Sequence, residues 1–426
     1  MNSLNPDAPL LAGDPVYVNC RDVRGDDNIL TDLGKMIRLS EQMTCQLYTG
    51  HRGAGKSTEL LRLQEDLENR GFFVVYFEAD QQDIDPEDVE YVDILLACTS
   101  RLLGELRTAN AAPLKDWLSD RWDDVRELAQ TKITLDKLDI EGSFAIFTKL
   151  TASVKAEPTQ RTKIRDKINP HTVTLLTALN EFIGSAKKNL PNGKTQLLVI
   201  VDNLDRIPLI FRDNGSNNHE DIFLHRHAQL KGLDCHVIYT VPIAFVYSKW
   251  ANDANTDYGR TPILPMVMVQ TRDGQPYEPG IKKLKEAICR RVEPHAEKRD
   301  LETEIFDSST TIERLCAMSG GHMRELMQMT QMAINHTDAL PISVRAVQRA
   351  VAEVRDVYRR TVEELEWKIL LRVGRSKDIQ QDNEHRSLLQ RRCILEYREL
   401  DGEGELQKWY DIHPLIRGID RFKQES

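Results

Sequence analysis

Residues Gly50 to Ser57 read Gly-His-Arg-Gly-Ala-Gly-Lys-Ser, which places three glycines, a lysine and a hydroxyl at the spacing G-x-x-x-x-G-K-[ST]. Glycine lets the backbone turn several N–H groups onto phosphate oxygens, and a helix that begins at the lysine adds its positive end. Lys56 can then reach the β- and γ-phosphates, while the Ser57 hydroxyl can ligate Mg²⁺. The expected nucleotide cradle is therefore Gly50, His51, Arg52, Gly53, Ala54, Gly55, Lys56, Ser57 and Thr58. The second chemical element is Gln196-Leu-Leu-Val-Ile-Val-Asp202, an apolar run ended by an acid and followed by Asn203-Leu-Asp205-Arg206. A strand buried on both faces reads as continuous apolar sequence, and ligands of open α/β sheets sit at the carboxyl ends of such strands. Asp202 falls there and is the candidate to order the Mg²⁺ shell.

The elements that must hold these groups are legible around them. Thr44 to Tyr48 predicts a short strand before the glycines. After them, Leu60, Leu63 and Leu67 predict a helix that stops at Gly71. Phe72 to Phe77 reads as a strand, and a helix is expected around Tyr91 to Leu106.

The pairing of the two motifs resembles the additional-strand (AAA+) branch of P-loop NTPases, especially its signalling relatives called STAND, which include NACHT proteins. Asp202-Asn-Leu-Asp-Arg206 also resembles the signature of KAP-type NTPases. The resemblance implies a P-loop α/β parallel-sheet core with a helical lid. It makes Cys235 to Thr240 a strand whose end, Thr240, is the sensor-1 position, and it makes Arg324 of Ser319-Gly-Gly-His-Met-Arg324 the γ-phosphate sensor at the start of the lid helix, as in origin-recognition-type ATPases. Val16 to Gly25 occupies the place of an arginine-glycine element near the adenine, or is a plain loop ahead of the first helix. One departure stands out. AAA+ motors place glutamate after the Walker B aspartate, whereas this chain has Asn203, and an amide cannot act as a general base. Either Asp205 takes that role or hydrolysis is slow. Arg290 and Arg291, at the end of a helix expected over Ile281 to Val292, do not single out an arginine finger.

Along the chain, the reading is a core over residues 1–300 with an insertion at about 111–170, a helical lid over 301–345, and a C-terminal winged helix over 346–426. Within the insertion, Ile140 to Ala156 alternates and suggests a hairpin. The insertion as a whole is either a solvated excursion or a partner contact. Arg212 to Glu220, rich in Asp, Asn, Gly and Ser, is expected to be exposed and mobile. In the tail, Val347, Val351, Val354, Tyr358, Leu365 and Ile369 form one helical stripe, a compact helix lies between His385 and Arg392, and Ile394 to Arg398 with Lys408 to Ile412 form a hairpin. Basic and acidic residues nearly balance from Pro341 onward, and the wing turn carries Asp401, Glu403 and Glu405, which would repel phosphate.

The 426 residues carry a net charge of −10 and seven cysteines without a CxxC pair, so no thiolate metal or redox site and no global affinity for nucleic acid is expected. His225 and His227, at i and i+2, cannot share a helix face to bind a metal. No apolar run is long enough to span a bilayer and no leader is visible, so the expectation is a cytoplasmic protein without membrane contact. Together these features predict an ATP- and Mg²⁺-binding, slowly hydrolysing regulatory ATPase. It would act as a homo-oligomeric assembly or signalling switch, in bacterial defence with a separate effector protein by analogy to STAND proteins. The alternative is a DNA-binding AAA+ loader resembling origin-recognition or transposition ATPases.

Overall fold

The computed structural model describes residues 4–26, 28–129, 138–213, 215–295 and 299–425. Its centre is a five-stranded sheet in the order β2-β3-β4-β1-β5, with every neighbouring pair parallel. The strands are β1 (Cys45–Gly50), β2 (Phe72–Glu78), β3 (Gln196–Asp202), β4 (His236–Thr240) and β5 (Ile263–Leu264). All seven residues of β3 except Gln196 are buried, as the unbroken apolar run requires of a central strand covered on both faces. Strand β4 lies between the glycine-loop strand β1 and the acid-bearing strand β3, so an extra strand separates the two motifs. This is the α/β fold of a P-loop NTPase.

The two faces have different cores. On one, Leu60, Leu63 and Leu67 of the helix Lys56–Glu68 pack on Phe72, Val74, Leu198 and Ile200. On the other, the helices Tyr91–Glu105 and Thr172–Ala186 cover Val75, Phe77, Val199 and Val201.

Three sequence expectations fail here, wholly or in part. Residues Ile140–Ala156 form a helix, not a hairpin, because Phe147, Leu150 and Val154 recur at helical spacing on its buried side and the Asp139 side chain caps its start by accepting from Gly142 N at 2.8 Å. The segment around it is no solvated excursion. Arg165 of the helix Pro158–Ile168 is buried and reaches Asp93 at 2.6 Å on the helix Tyr91–Glu105, while Arg161 meets Asp85 and Asp88 at 2.7 Å each. The segment Arg212 to Glu220 is exposed only in its first part. Asn217 caps a helix from Asn218, and Asn217, His219 and Glu220 are buried.

Downstream, the helices Glu278–Val292, Ser309–Met318, Met323–Asn335 and Val344–Thr361 share one apolar cluster with the final helices of the chain. The long stripe is interrupted at Val362, and a new helix runs from Glu366 to Ser376. The helix Asn383–Gln390 and the antiparallel hairpin β6 (Ile394–Leu400) and β7 (Leu406–Ile412) follow, with Tyr397 stacked on Trp409 at 4.5 Å between centroids. Leu395, Tyr397 and Trp409 belong to the core of the phosphate-loop helix. The hairpin is thus docked on the sheet core. Among the described residues no cysteine is paired, no cluster could hold a metal through three ligating side chains, and no helix is long and apolar enough to cross a membrane.

The docked hairpin places Glu396, fully buried, where its carboxylate accepts from Tyr247 and from Arg398 Nε at 2.8 Å. Removing one partner of such a buried pair leaves the other charge without compensation. Glu396→Ala should therefore cost about 3–5 kcal/mol, read as a lowered urea midpoint, and a midpoint equal to wild type would refute this account of the docking.

Candidate nucleotide site

Strand β1 ends at Gly50, and the next helix starts at Lys56 after a turn with φ of 151° at Gly50, 89° at Gly53 and 109° at Gly55. Only glycine holds such angles without strain. At Gly53 a side chain would in addition collide with His322, since an added Cβ would lie 2.5 Å from its Cε1.

Each carbonyl from Gly50 to Ala54 has a named partner. Lys56 Nζ donates to Gly50 O at 2.9 Å and His51 O at 3.0 Å. His322 Nε2 meets Arg52 O at 2.5 Å, Arg324 N donates to Gly53 O at 3.2 Å, and Arg24 Nη2 donates to Ala54 O at 2.8 Å. Because the His322 Nδ1 accepts from Glu325 N at 3.0 Å, the ring proton must sit on Nε2. Burial then keeps the ring neutral, with its pKa lowered to about 3.

Asp202 is fully buried at the end of β3. It accepts from Tyr76 at 2.8 Å and from its neighbour Asn203 N at 2.7 Å, and the Ser57 hydroxyl also bonds to it. Burial, and after it the charge of Asp205, raise its pKa. Ser57 and Asp202 are thus side by side, an all-oxygen donor set that fits Mg²⁺. Asp205 is the ion-pair partner of Lys56 at 2.9 Å, and both side chains are buried. Asn203 has a left-handed φ of 66° and spends its amide on Asp80 at 2.8 Å, where Arg206 joins it. Thr240 is buried and accepts from Leu204 N at 3.1 Å, so it braces the Asp202–Asp205 turn from beneath and does not line the cleft.

Arg324 does line the cleft, with Arg52, Arg206 and Arg291. Burial lowers the pKa of Arg324, and the charges of Arg206, Arg52 and Arg392 lower it further. Such crowding of cations is a demand for an anion. In this structure part of that demand is met by the chain before the sheet. Residues Asn5 to Leu10 cross the cleft, Arg324 meets Pro6 O at 3.3 Å and Asp7 at 3.4 Å, and Leu10 N donates to Thr58 Oγ1 at 3.1 Å. Beside the turn lies a small slot of mixed polarity in which Val18, Ala54, Ala287 and Met323 meet Arg24, Glu59 and Arg291. Arg24 reaches the turn from the segment read as the arginine-glycine element. Arg290 bonds to Tyr17 O and Pro15 O and to Glu286, and Arg291 bonds back to Ala287 O, so both are engaged within the chain.

Sequence reasoning missed several participants. Glu78, at the end of β2, lines the same cleft, and only its position after a strand-like run could have signalled it. Asp80 and the Asn5 to Leu10 segment carry no motif at all, and Arg206 stood inside a quoted motif without a role. His322 and His51 stood inside quoted motifs, but their partners are remote: Glu396 N of the hairpin donates to His51 Nε2 at 3.1 Å.

No protein-family model matches this chain, and no curated protein matches it. Among solved structures it is similar to a Walker-type ATPase of Pyrococcus abyssi, with 13% identity and a TM-score of 0.44 over 98% of this chain and 99% of that one. It is also similar to the Aeropyrum pernix ORC2 protein in ADPNP–ADP complexes, with 12% identity and a TM-score of 0.39 over 92% of this chain and 91% of that one. The Aeropyrum pernix ORC1 protein in complex with DNA shows 11% identity and a TM-score of 0.35 over 100% of this chain and 96% of that one. At these values the likenesses add nothing to what the chain's own geometry carries.

His322 makes the lid joint sensitive to acid. Its folded pKa of about 3 lies below the unfolded value of 6.5, so below pH 6.5 the unfolded chain binds a proton that the native one does not. Stability should be full above pH 6.5 and fall as pH drops toward 3, by up to about 1.4 kcal/mol per pH unit for this group. His322→Asn keeps a capping acceptor and removes the titration. Urea unfolding at stepped pH should show a flatter slope for that variant, and parallel slopes would overturn the assignment.

Proposed function

We propose that the protein is an ATP-binding, Mg²⁺-dependent and slowly hydrolysing ATPase of the AAA+/STAND type that works as a nucleotide-dependent switch. The observation carrying this reading is that one phosphate-binding turn is bonded both to the first turn of the lid helix, through Arg52 O and Gly53 O, and to the C-terminal hairpin, through His51. Arrival of phosphates would give Lys56 a second anionic partner beside Asp205 and bring a competing anion to Arg324, which now holds Asp7. Both changes bear on the joint between sheet, lid and hairpin. The sheet order with β4 between the two motif strands supports the AAA+ assignment.

Ser57 and Asp202 would hold Mg²⁺, which supplies charge neutralisation at the phosphates. Lys56, Arg52 and Arg324 would bind the phosphate oxygens, and the slot lined by Val18, Ala54 and Met323 would exclude water around the base. The slow rate is expected because Asn203, bonded to Asp80, cannot be a general base at the position directly after Asp202. The helix Met323–Asn335 and its neighbours would act as the lid, the segment from Glu366 as a winged helix, and homo-oligomers or a separate effector would read the switch.

A second reading, a DNA-binding AAA+ loader, rests on the exposed arginines of the helix Val344–Thr361, namely Arg345, Arg349, Arg359 and Arg360. The helix that would enter a groove is engaged elsewhere. In the helix Asn383–Gln390, Arg386 is buried, donates to Ala244 O at 2.9 Å and lies 3.6 Å from Glu220. DNA recognition by that helix would therefore require its release from the core.

ATP titration should show Lys56→Ala weakened by roughly 10- to 100-fold, the loss of a charged hydrogen-bond donor. Unchanged affinity would contradict the site. Light-scattering mass without nucleotide, with ADP and with a non-hydrolysable ATP analogue should rise with the analogue alone. A rise that requires duplex DNA, with a steep salt dependence, would favour the loader reading instead.

A further inference from the structure

Hydrolysis needs a group that takes a proton from the attacking water, and the residue after Asp202 cannot do so. Five carboxylates surround the cleft: Asp7, Glu78, Asp80, Asp202 and Asp205. Four of them are already committed. Asp7 pairs with Arg324, and Asp80 receives both Asn203 and Arg206. Asp202 receives Tyr76, Ser57 and Asn203 N, and Asp205 is buried against Lys56.

Glu78 differs in each respect. It lies at the carboxyl end of β2 in direct register with Asp202 of β3. Neighbouring strands are about 4.8 Å apart, so the two acids stand side by side at the sheet edge where the phosphates would lie. Side chains two apart on a strand share a face, which puts Glu78 on the same side as Tyr76, the partner of Asp202, and toward the phosphate loop. It lines the cleft together with Lys56, Ser57 and Arg206. Among the described residues it has no lysine or arginine ion-pair partner, and Gln81 is its hydrogen-bond neighbour.

We infer that Glu78, on the strand beside the Walker B strand, is the general base of ATP hydrolysis. The inference rests on the ATPase reading above. Glu78 takes one proton from a water while that water's oxygen forms a bond to the γ-phosphorus. The bond from the γ-phosphorus to the β–γ bridging oxygen breaks, and its electron pair leaves with ADP. The proton on Glu78 then returns to solvent. The surroundings favour this use. Burial raises the proton affinity of Glu78, the negative charges of Asp202 and Asp80 raise it further, and Arg206 with Gln81 opposes them only in part. Asp205 becomes a counter-ion for Lys56, a positioning residue rather than the base.

The test is single-turnover hydrolysis of saturating Mg-ATP, with ATP affinity measured separately, for wild type, Glu78→Gln and Glu78→Asp. Glu78→Gln should lose about 10²- to 10⁴-fold in rate, the usual worth of a general base, with ATP affinity within about threefold. Glu78→Asp should recover part of the rate, and the acid limb of the wild-type pH profile should vanish in Glu78→Gln. A Glu78→Gln protein that hydrolyses at the wild-type rate overturns the assignment alone. A more than tenfold loss of affinity in that variant overturns it in favour of a role in binding. A wild-type protein that binds ATP and never hydrolyses it overturns this inference and the hydrolytic reading but leaves nucleotide binding standing.

Discussion

The arrangement of the phosphate-binding turn depends on where its carbonyls go. From Gly50 to Ala54 every backbone oxygen is taken by a donor, from Lys56, His322, the Arg324 backbone and Arg24. Successive N–H groups of such a glycine-rich turn can make an anion-binding concavity. Three of these donors come from distant parts of the chain. The turn is therefore a joint as well as a site. Its geometry cannot relax without disturbing the helix Met323–Asn335, and the start of that helix cannot move away without freeing two oxygens of the turn.

Charge explains why the joint can be biased. Arg52, Arg206, Arg324 and Arg392 converge from the turn, the segment after β3, the lid helix and the approach to the hairpin, and their mutual repulsion shows in the lowered pKa of Arg52 and Arg324, where it adds to burial. Acids offset the cost in this structure: Asp7 for Arg324, Asp80 for Arg206, Asp205 for Lys56. These are local counter-ions on separate elements. A multiply charged phosphate group would compete with several of them at once, so each element loses or gains a partner by the same event. Asp7 is largely exposed, which makes its contact with Arg324 the weakest of the three and the easiest to exchange.

Local chemistry decided what was legible in the sequence. The glycine turn, the strand of Asp202, the helix after Lys56 and the hairpin near the end each follow from spacing within a dozen residues, and all are present at the expected places. The expected hairpin over Ile140 to Ala156 failed because alternation and helical period overlap when apolar residues are dense. The buried Phe147, Leu150 and Val154 settle the matter only once the partner helix Tyr91–Glu105 is seen. Thr240 was expected at the phosphates because its strand ends there, yet its hydroxyl is turned to Leu204 N. Glu78 was passed over for the opposite reason: nothing beside it in sequence marks it, and its meaning comes from register with Asp202 across the sheet.

The C-terminal unit shows the same dependence on remote contacts. In the sequence, Arg386, Arg391 and Arg392 before a hairpin leave contact with nucleic acid open, while packing within the chain or against a subunit is the preferred reading. In the folded chain those arginines look inward. Arg386 is bonded to Ala244 O, Arg391 pairs with Glu366, and Arg392 lies 3.9 Å from Glu325, itself held by Tyr358 and His413. Gln390 reaches the carbonyls of Asp205 and Ile207, directly behind the ion pair with Lys56. The same helix therefore abuts the turn that carries Asp205, and the hairpin after it abuts His51 at the phosphate loop. The unit is thus tied to both turns by hydrogen bonds, and a surface that reads DNA with Arg386 would have to release Arg386 from Ala244 O. The placement of the unit follows from those contacts, and its charge balance, close to neutral, is what an internally packed element requires.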